Sequence, residues 1–172
     1  VYKRQALVTA EHGLWLAIQV ADCQAVLLYD PVQQVVANVH AGWRGSIANV
    51  VGATVARMQT RFGCRPGDIV AGIGPSLGPC CAEFVNYKRE IPRSLWHHKV
   101  SANHFDFWAI TCEQLYRSGV KRANVCTSEI CTCCNPGLFF TYRQEKVTGR
   151  FAAVIGLRPV SADLKPTLES RE

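Results

Sequence analysis

The chain has 172 residues, 48% of them hydrophobic, with 13 glycines and 8 prolines, a composition that suits one water-soluble domain with a sizeable core. No uncharged apolar stretch reaches the ~18–20 residues that span a bilayer, and no signal peptide is visible, so a cytoplasmic location is expected. The formal charge of +6 is scattered in pairs such as Lys3-Arg4, Lys88-Arg89 and Lys121-Arg122, without an aromatic RNA-binding signature or a helix-turn-helix pattern. That distribution fits attraction of small anionic substrates better than nucleic-acid binding.

In chain order, Ala6–Thr9 and Leu14–Val20 read as strands divided by the turn Glu11-His12-Gly13. The apolar run Ala25–Tyr29 and the β-rich run Val35–Val39 follow, separated only by Asp30–Gln34. So short a connection forbids a parallel crossover and predicts an antiparallel hairpin. A hairpin centred between Pro31 and Val32 sets Cys23 directly opposite His40, where Cβ atoms stand about 4.5–5.5 Å apart. A thiol and an imidazole at that distance can ligate one metal or act as nucleophile and general base. A slip of one residue would put them on opposite faces.

His40-Ala41-Gly42-Trp43-Arg44-Gly45-Ser46 leads from strand to helix. Ser46 is the expected N-cap, and Ile47, Val50, Val51, Val55 and Met58 form an apolar stripe at helical spacing. The helix start, Gly45, Ser46 and the Arg44 fork would together form an anion site beside the thiol and imidazole. Farther on, Arg65–Asp68 reads as a loop, Ile69–Ile73 as a short strand ending at Gly74–Pro79, and Phe107–Ser118 as a helix closed by Gly119. Phe139–Tyr142 and Phe151–Leu157 read as late strands. Residues 1–158 form one expected domain and 159–172 a tail. The mixture of strands and helices indicates an α/β or α+β domain.

Nine cysteines, an odd number, cannot all pair within the chain. Cys131-Thr132-Cys133-Cys134 contains a C-x-x-C without a second unit at zinc-ribbon spacing; a structural zinc there would need Cys126 or Cys80 as partners. Reduced thiols in a cytosolic protein are the favoured expectation.

Several ordered motifs carry a family resemblance: Ala21-Asp22-Cys23, His40-Ala41-Gly42-Trp43-Arg44-Gly45, Gly74-Pro75 with Gly78-Pro79-Cys80, and Phe139-Phe140 leading to Tyr142-Arg143 and Thr148-Gly149-Arg150. From Ala6 to about Leu157 the chain resembles the YfiH-like family, also called laccase-domain or polyphenol oxidase proteins, which includes peptidoglycan-editing factors. The resemblance implies layered mixed β-sheets flanked by helices, similar to the catalytic domain of cytotoxic necrotising factor. It implies a catalytic zinc, with copper possible, held by His, Cys and His, the latter two matching Cys23 and His40. It also implies purine nucleoside phosphorylase and adenosine deaminase activity on adenosine, inosine and methylthioadenosine, in a monomer or homodimer. Arg44, Gly45, Ser46, Cys80 and Arg143 are then the expected contacts to substrate and phosphate, and the cysteine-containing loop ahead of Phe139 lines the active site.

The family's first histidine lies several dozen residues before the Cys, and its motif is absent here. The chain is therefore expected to be a fragment, with His104, Cys80 and Cys131 as internal candidates for the third ligand. Departures are Val20, where Thr usually precedes Ala-Asp-Cys, and Gln5, where Asp is common. A metal-free hydrolase or deamidase, with Cys23 as nucleophile and His40 as base, is one alternative. A laccase-like copper oxidase is another, but it should show paired His-x-His motifs, and the five histidines include none.

Overall fold

The computed structural model describes residues 5–159; most of the expected tail, 160–172, lies outside them. Strands β1 (Ala6–Thr9), β3 (Gln24–Asp30), β4 (Val35–Ala41), β5 (Val70–Ile73) and β6 (Val125–Thr127) form one sheet in the order β1-β4-β3-β5-β6. Its neighbours are antiparallel except the β5–β6 pair. Strands β2 (Trp15–Val20) and β7 (Phe151–Gly156) form a second, antiparallel pair.

Side-chain alternation decides what covers each face of the larger sheet. Val26, Leu28, Val35, Ala37, Val39 and Ala41 face a core completed by helix α2 (Val50–Phe62), through Val51, Val55 and Met58, and by Leu115 of helix α4 (Phe107–Arg117). On the opposite face, Val36 packs with Leu16 and Leu157, covered by the β2–β7 pair. Burial on both faces explains why Val35–Val39 of β4 are all buried rather than alternating. Asn38, fully buried on the β2–β7 side, donates from Nδ2 to Leu16 O at 3.0 Å and to Ala153 O at 2.9 Å, tying the two sheets together.

Three local expectations are corrected. The β3–β4 hairpin pairs Ala25 with His40 and Gln24 with Ala41, so Cys23 is not directly opposite His40 but two residues out of register. The reason lies at Asp30, whose Oδ1 accepts from Val32 N at 2.8 Å and Gln33 N at 3.0 Å. That Asx turn shifts the centre of the loop one residue past the Pro31-Val32 bond. Because the shift is by two residues, both side chains keep the same face.

The helix after His40 is broken. A short helix α1 (Trp43–Ile47) contains Ser46 in its interior, and Asn49, at φ 54° and ψ 47°, caps α2 by accepting from Gly52 N. Asn tolerates this left-handed backbone better than most residues, which is why it rather than Ser46 starts the long helix. Finally, Phe139–Tyr142 is not a strand. Leu138 N and Phe139 N both turn back to Asn135 O, and the Phe139 ring packs against Phe151 with centroids 5.3 Å apart. The β6 strand and the short helix α3 (Tyr87–Glu90) were not expected from the sequence.

Candidate active site

Cys23 precedes β3 and His40 sits near the end of β4, both projecting to the β2–β7 side. Gly42 measures the space between them. A Cβ built there would stand 3.1 Å from Cys23 Sγ and 3.9 Å from His40 Nε2, so both donors lie beside the position that residue 42 leaves without a side chain. The Gly42 backbone itself, at φ −73°, requires no glycine. Close approach is what the position selects.

Cys23 and His40 lie on the wall of a cavity of about 840 Å³, within the range of small-molecule sites. Residues Ala17–Val20 of β2 and the segment Ala21–Gln24 form one side. Trp43, Leu77, Phe84, Phe107 and Tyr142 supply apolar and aromatic surface. The Phe84 ring meets Trp43 edge-on at 5.8 Å and Phe107 at 5.2 Å, so these rings brace one another. Arg143, Lys146 and Arg150 complete the wall, against Asp22 as its acidic group.

Asp22 organises the site. Its backbone is left-handed at φ 76°. Its Oδ1 accepts from Thr132 Oγ1 at 2.7 Å, its Oδ2 from Arg143 N at 2.6 Å, and its carbonyl from Leu77 N at 2.9 Å. Three chain segments distant in sequence are thereby fixed next to Cys23. Arg143 further donates from Nη1 to Glu83 O at 3.0 Å, and the Arg150 guanidinium donates to Thr148 O and Gly149 O. Burial pushes the Cys23 thiol up from its ordinary range, the Asp22 charge raises it further, and Arg150 pulls it back in part.

The remaining expected site residues lie elsewhere. Arg44 is exposed, its guanidinium stacked at 4.0 Å over the neighbouring Trp43 ring, and Arg44, Gly45 and Ser46 are absent from the cavity wall. Ser46 is buried within α1, and its carbonyl accepts from Gln114 Nε2 at 2.6 Å. Cys80 and Cys131 group with Cys81 and Cys134 outside the cavity wall, and His104 bridges to Glu83 in a loop. None of the three internal candidates for a third ligand reaches the Cys23–His40 pair. Lys146 and Arg150 were not selected from the sequence as wall residues; the β2–β7 pairing and the Asp22–Arg143 bond bring their segment to the cavity.

The fold and site thus define a class: an α+β domain with a thiol–imidazole pair in a cationic, aromatic-walled cavity. The sequence profile described as "Multi-copper polyphenol oxidoreductase laccase" matches residues 2–158, and the chain belongs to this laccase-like, YfiH family. Among curated relatives, it is 36% identical over 162 residues to the purine nucleoside phosphorylase YlmD of Geobacillus stearothermophilus, covering 88% of this chain and 59% of that protein. It is 36% identical over 148 residues to a purine nucleoside phosphorylase of Bacteroides thetaiotaomicron, covering 81% of this chain and 55% of that one. Among solved structures, it resembles the YfiH hypothetical protein of Bacillus licheniformis with a TM-score of 0.81 at 30% identity, covering 90% of this chain and 61% of that one. The chain therefore spans little more than half the length of these relatives. No helix among the described residues is long and apolar enough to cross a membrane.

Proposed function

We propose that this chain forms the nucleoside- and phosphate-handling part of a metal-dependent purine nucleoside phosphorylase. The observation that carries the reading is the placement of Cys23 and His40 beside Gly42, on the wall of a cavity lined by aromatic rings and three cationic side chains. A thiol and an imidazole with room between them fit zinc, and copper by the same donor chemistry. When bound, such a metal supplies Lewis acidity and a water ionised near neutral pH.

The chain's own groups account for the rest. Trp43, Phe84, Phe107 and Tyr142 offer flat apolar surface for a purine base. Arg143, Lys146 and Arg150 hold phosphate, whose oxygen attacks the anomeric carbon as the glycosidic C–N bond breaks, giving ribose 1-phosphate and the free base. Arg44 acts through Trp43, keeping the indole in place from the solvent side. Adenosine deamination in the same cavity is a second reaction at a different atom: water adds to C6 of the base and ammonia leaves, whereas phosphorolysis acts at the ribose anomeric carbon. Inosine and methylthioadenosine fit the same base-and-ribose recognition. A copper oxidase reading is weaker, because His40 is the one histidine on the described cavity wall. Substituting Cys23→Ala or His40→Ala should lower metal content and nucleoside cleavage together. Retention of both with a folded protein would refute the assignment.

A further inference from the structure

A second set of donors lies outside the cavity wall. Cys80 and Cys81 follow β5, Cys131 and Cys134 follow β6, and their four sulfur atoms all lie within 4.8 Å of one another. Cys134 Sγ is 3.4 Å from Cys80 Sγ and 3.5 Å from Cys81 Sγ. A disulfide needs about 2.05 Å. A tetrahedral tetrathiolate zinc, with Zn–S near ~2.3 Å, sets its sulfurs about 3.8 Å apart, close to what is found.

The backbone holds these donors in place without any sulfur–sulfur bond. Ser76 N donates to Ile130 O and Thr132 N to Ser76 O, pairing the two loops around Cys131. Gly78 N donates to Cys131 Sγ at 3.2 Å, the kind of N–H···S contact that orients a ligating thiolate. Gly78 is tightly packed as well. A Cβ there would stand 3.0 Å from Cys131 Cβ and 2.8 Å from a Trp108 ring carbon.

We propose that Cys80, Cys81, Cys131 and Cys134 bind one structural zinc ion, distinct from the Cys23–His40 site. Binding replaces the proton of each ligating thiol and leaves no position for water, so the ion is structural rather than catalytic. Its place in the fold gives it a task. One loop carries Leu77 and Ala82 to the cavity wall, and the other carries Thr132, which anchors Asp22 beside Cys23. The zinc would clamp these loops together. The pairing differs from the partners expected for the C-x-x-C: Cys81 joins the set, and Cys126 stays outside it.

The test does not depend on the nucleoside reading. Zinc content of the reduced, folded Cys23→Ala/His40→Ala double variant should remain at one ion per chain, and its X-ray absorption should report sulfur ligands alone. The further change Cys134→Ser should remove that ion. Should Cys134→Ser fail to fold, cobalt added to the metal-stripped, reduced double variant should give the intense visible bands and thiolate-to-metal absorption of a tetrahedral thiolate site. A reduced double variant that takes up neither zinc nor cobalt would overturn the proposal. So would a disulfide among these residues in protein isolated under reducing conditions.

Discussion

Substitution of Asp22 separates the two jobs this residue performs. Its carboxylate accepts from Thr132 Oγ1 and Arg143 N, and its backbone is left-handed at φ 76°. Arg143 is exposed and Asp22 only half-buried, so each charge-assisted bond contributes at the low end, about 1 kcal/mol. A left-handed backbone costs an ordinary side chain a further ~1–2 kcal/mol. Asp22→Ala loses both bonds and takes on the strain, and should destabilise by about 3–4 kcal/mol. Asp22→Gly loses the bonds without strain, and should cost about 2–3 kcal/mol once its extra chain freedom is included. Asp22→Asn keeps the backbone tolerance and one acceptor, and should cost about 1–2 kcal/mol. Urea denaturation of the three variants reads these differences directly. The order Asn, Gly, Ala in increasing cost is the prediction, and an Ala variant as stable as Gly would refute the strain argument. Nucleoside cleavage should fall most in the Ala and Gly variants, where the loop bearing Arg143 is no longer pinned beside Cys23, and less in the Asn variant.

Gly42→Ala suits the local backbone but sets a methyl 3.1 Å from Cys23 Sγ and 3.9 Å from His40 Nε2; zinc calorimetry on a background lacking Cys134 should lose the cavity site while the protein stays folded. Retained binding at that site would show that the donors converge elsewhere. Arg143→Ala and Lys146→Ala should each raise the phosphate KM about tenfold or more, the value of one charge-assisted contact, whereas Arg44→Lys should raise it less; the reverse ranking in steady-state kinetics would return the anion site to the helix start. Burial first, and then the neighbouring Asp30 carboxylate, push the Cys64 thiol from 9.0 to about 12. The folded state therefore keeps a proton that the unfolded chain releases in this window, and this contribution to stability is intact below pH 9.0 and lost as pH rises toward about 12. Cys64→Ala should show a shallower loss of stability with pH over that range, and an unchanged slope would contradict the assignment.

Strands β2, β3, β4 and β7 and helix α4 were legible because each has a run or stripe of the right period and is bounded by turn residues. The Cys23–His40 relation was legible as a shared face but not as a register, because the hairpin centre is set by the Asp30 side chain rather than by Pro31. The break at Asn49 was hidden because Ile47 and Val50 continue the apolar stripe across it. Phe139–Tyr142 has strand composition, but the turn at Asn135 and the aromatic contact with Phe151 take its place. The cationic wall and the thiol cluster depend on tertiary pairing. Cys81 and Cys134 are 53 residues apart, and no local spacing announces that they meet.

In the proposed reading, Cys23 and His40 serve phosphate-dependent cleavage of purine nucleosides in this cavity. The direct measurement is product analysis of the zinc-loaded protein incubated with inosine, with and without inorganic phosphate, following ribose 1-phosphate by phosphorus NMR and free base by chromatography. Equal amounts of ribose 1-phosphate and hypoxanthine are expected, formed only with phosphate and lost in Cys23→Ala. Base release without phosphate, yielding free ribose, or turnover undiminished in Cys23→Ala, would contradict this reading.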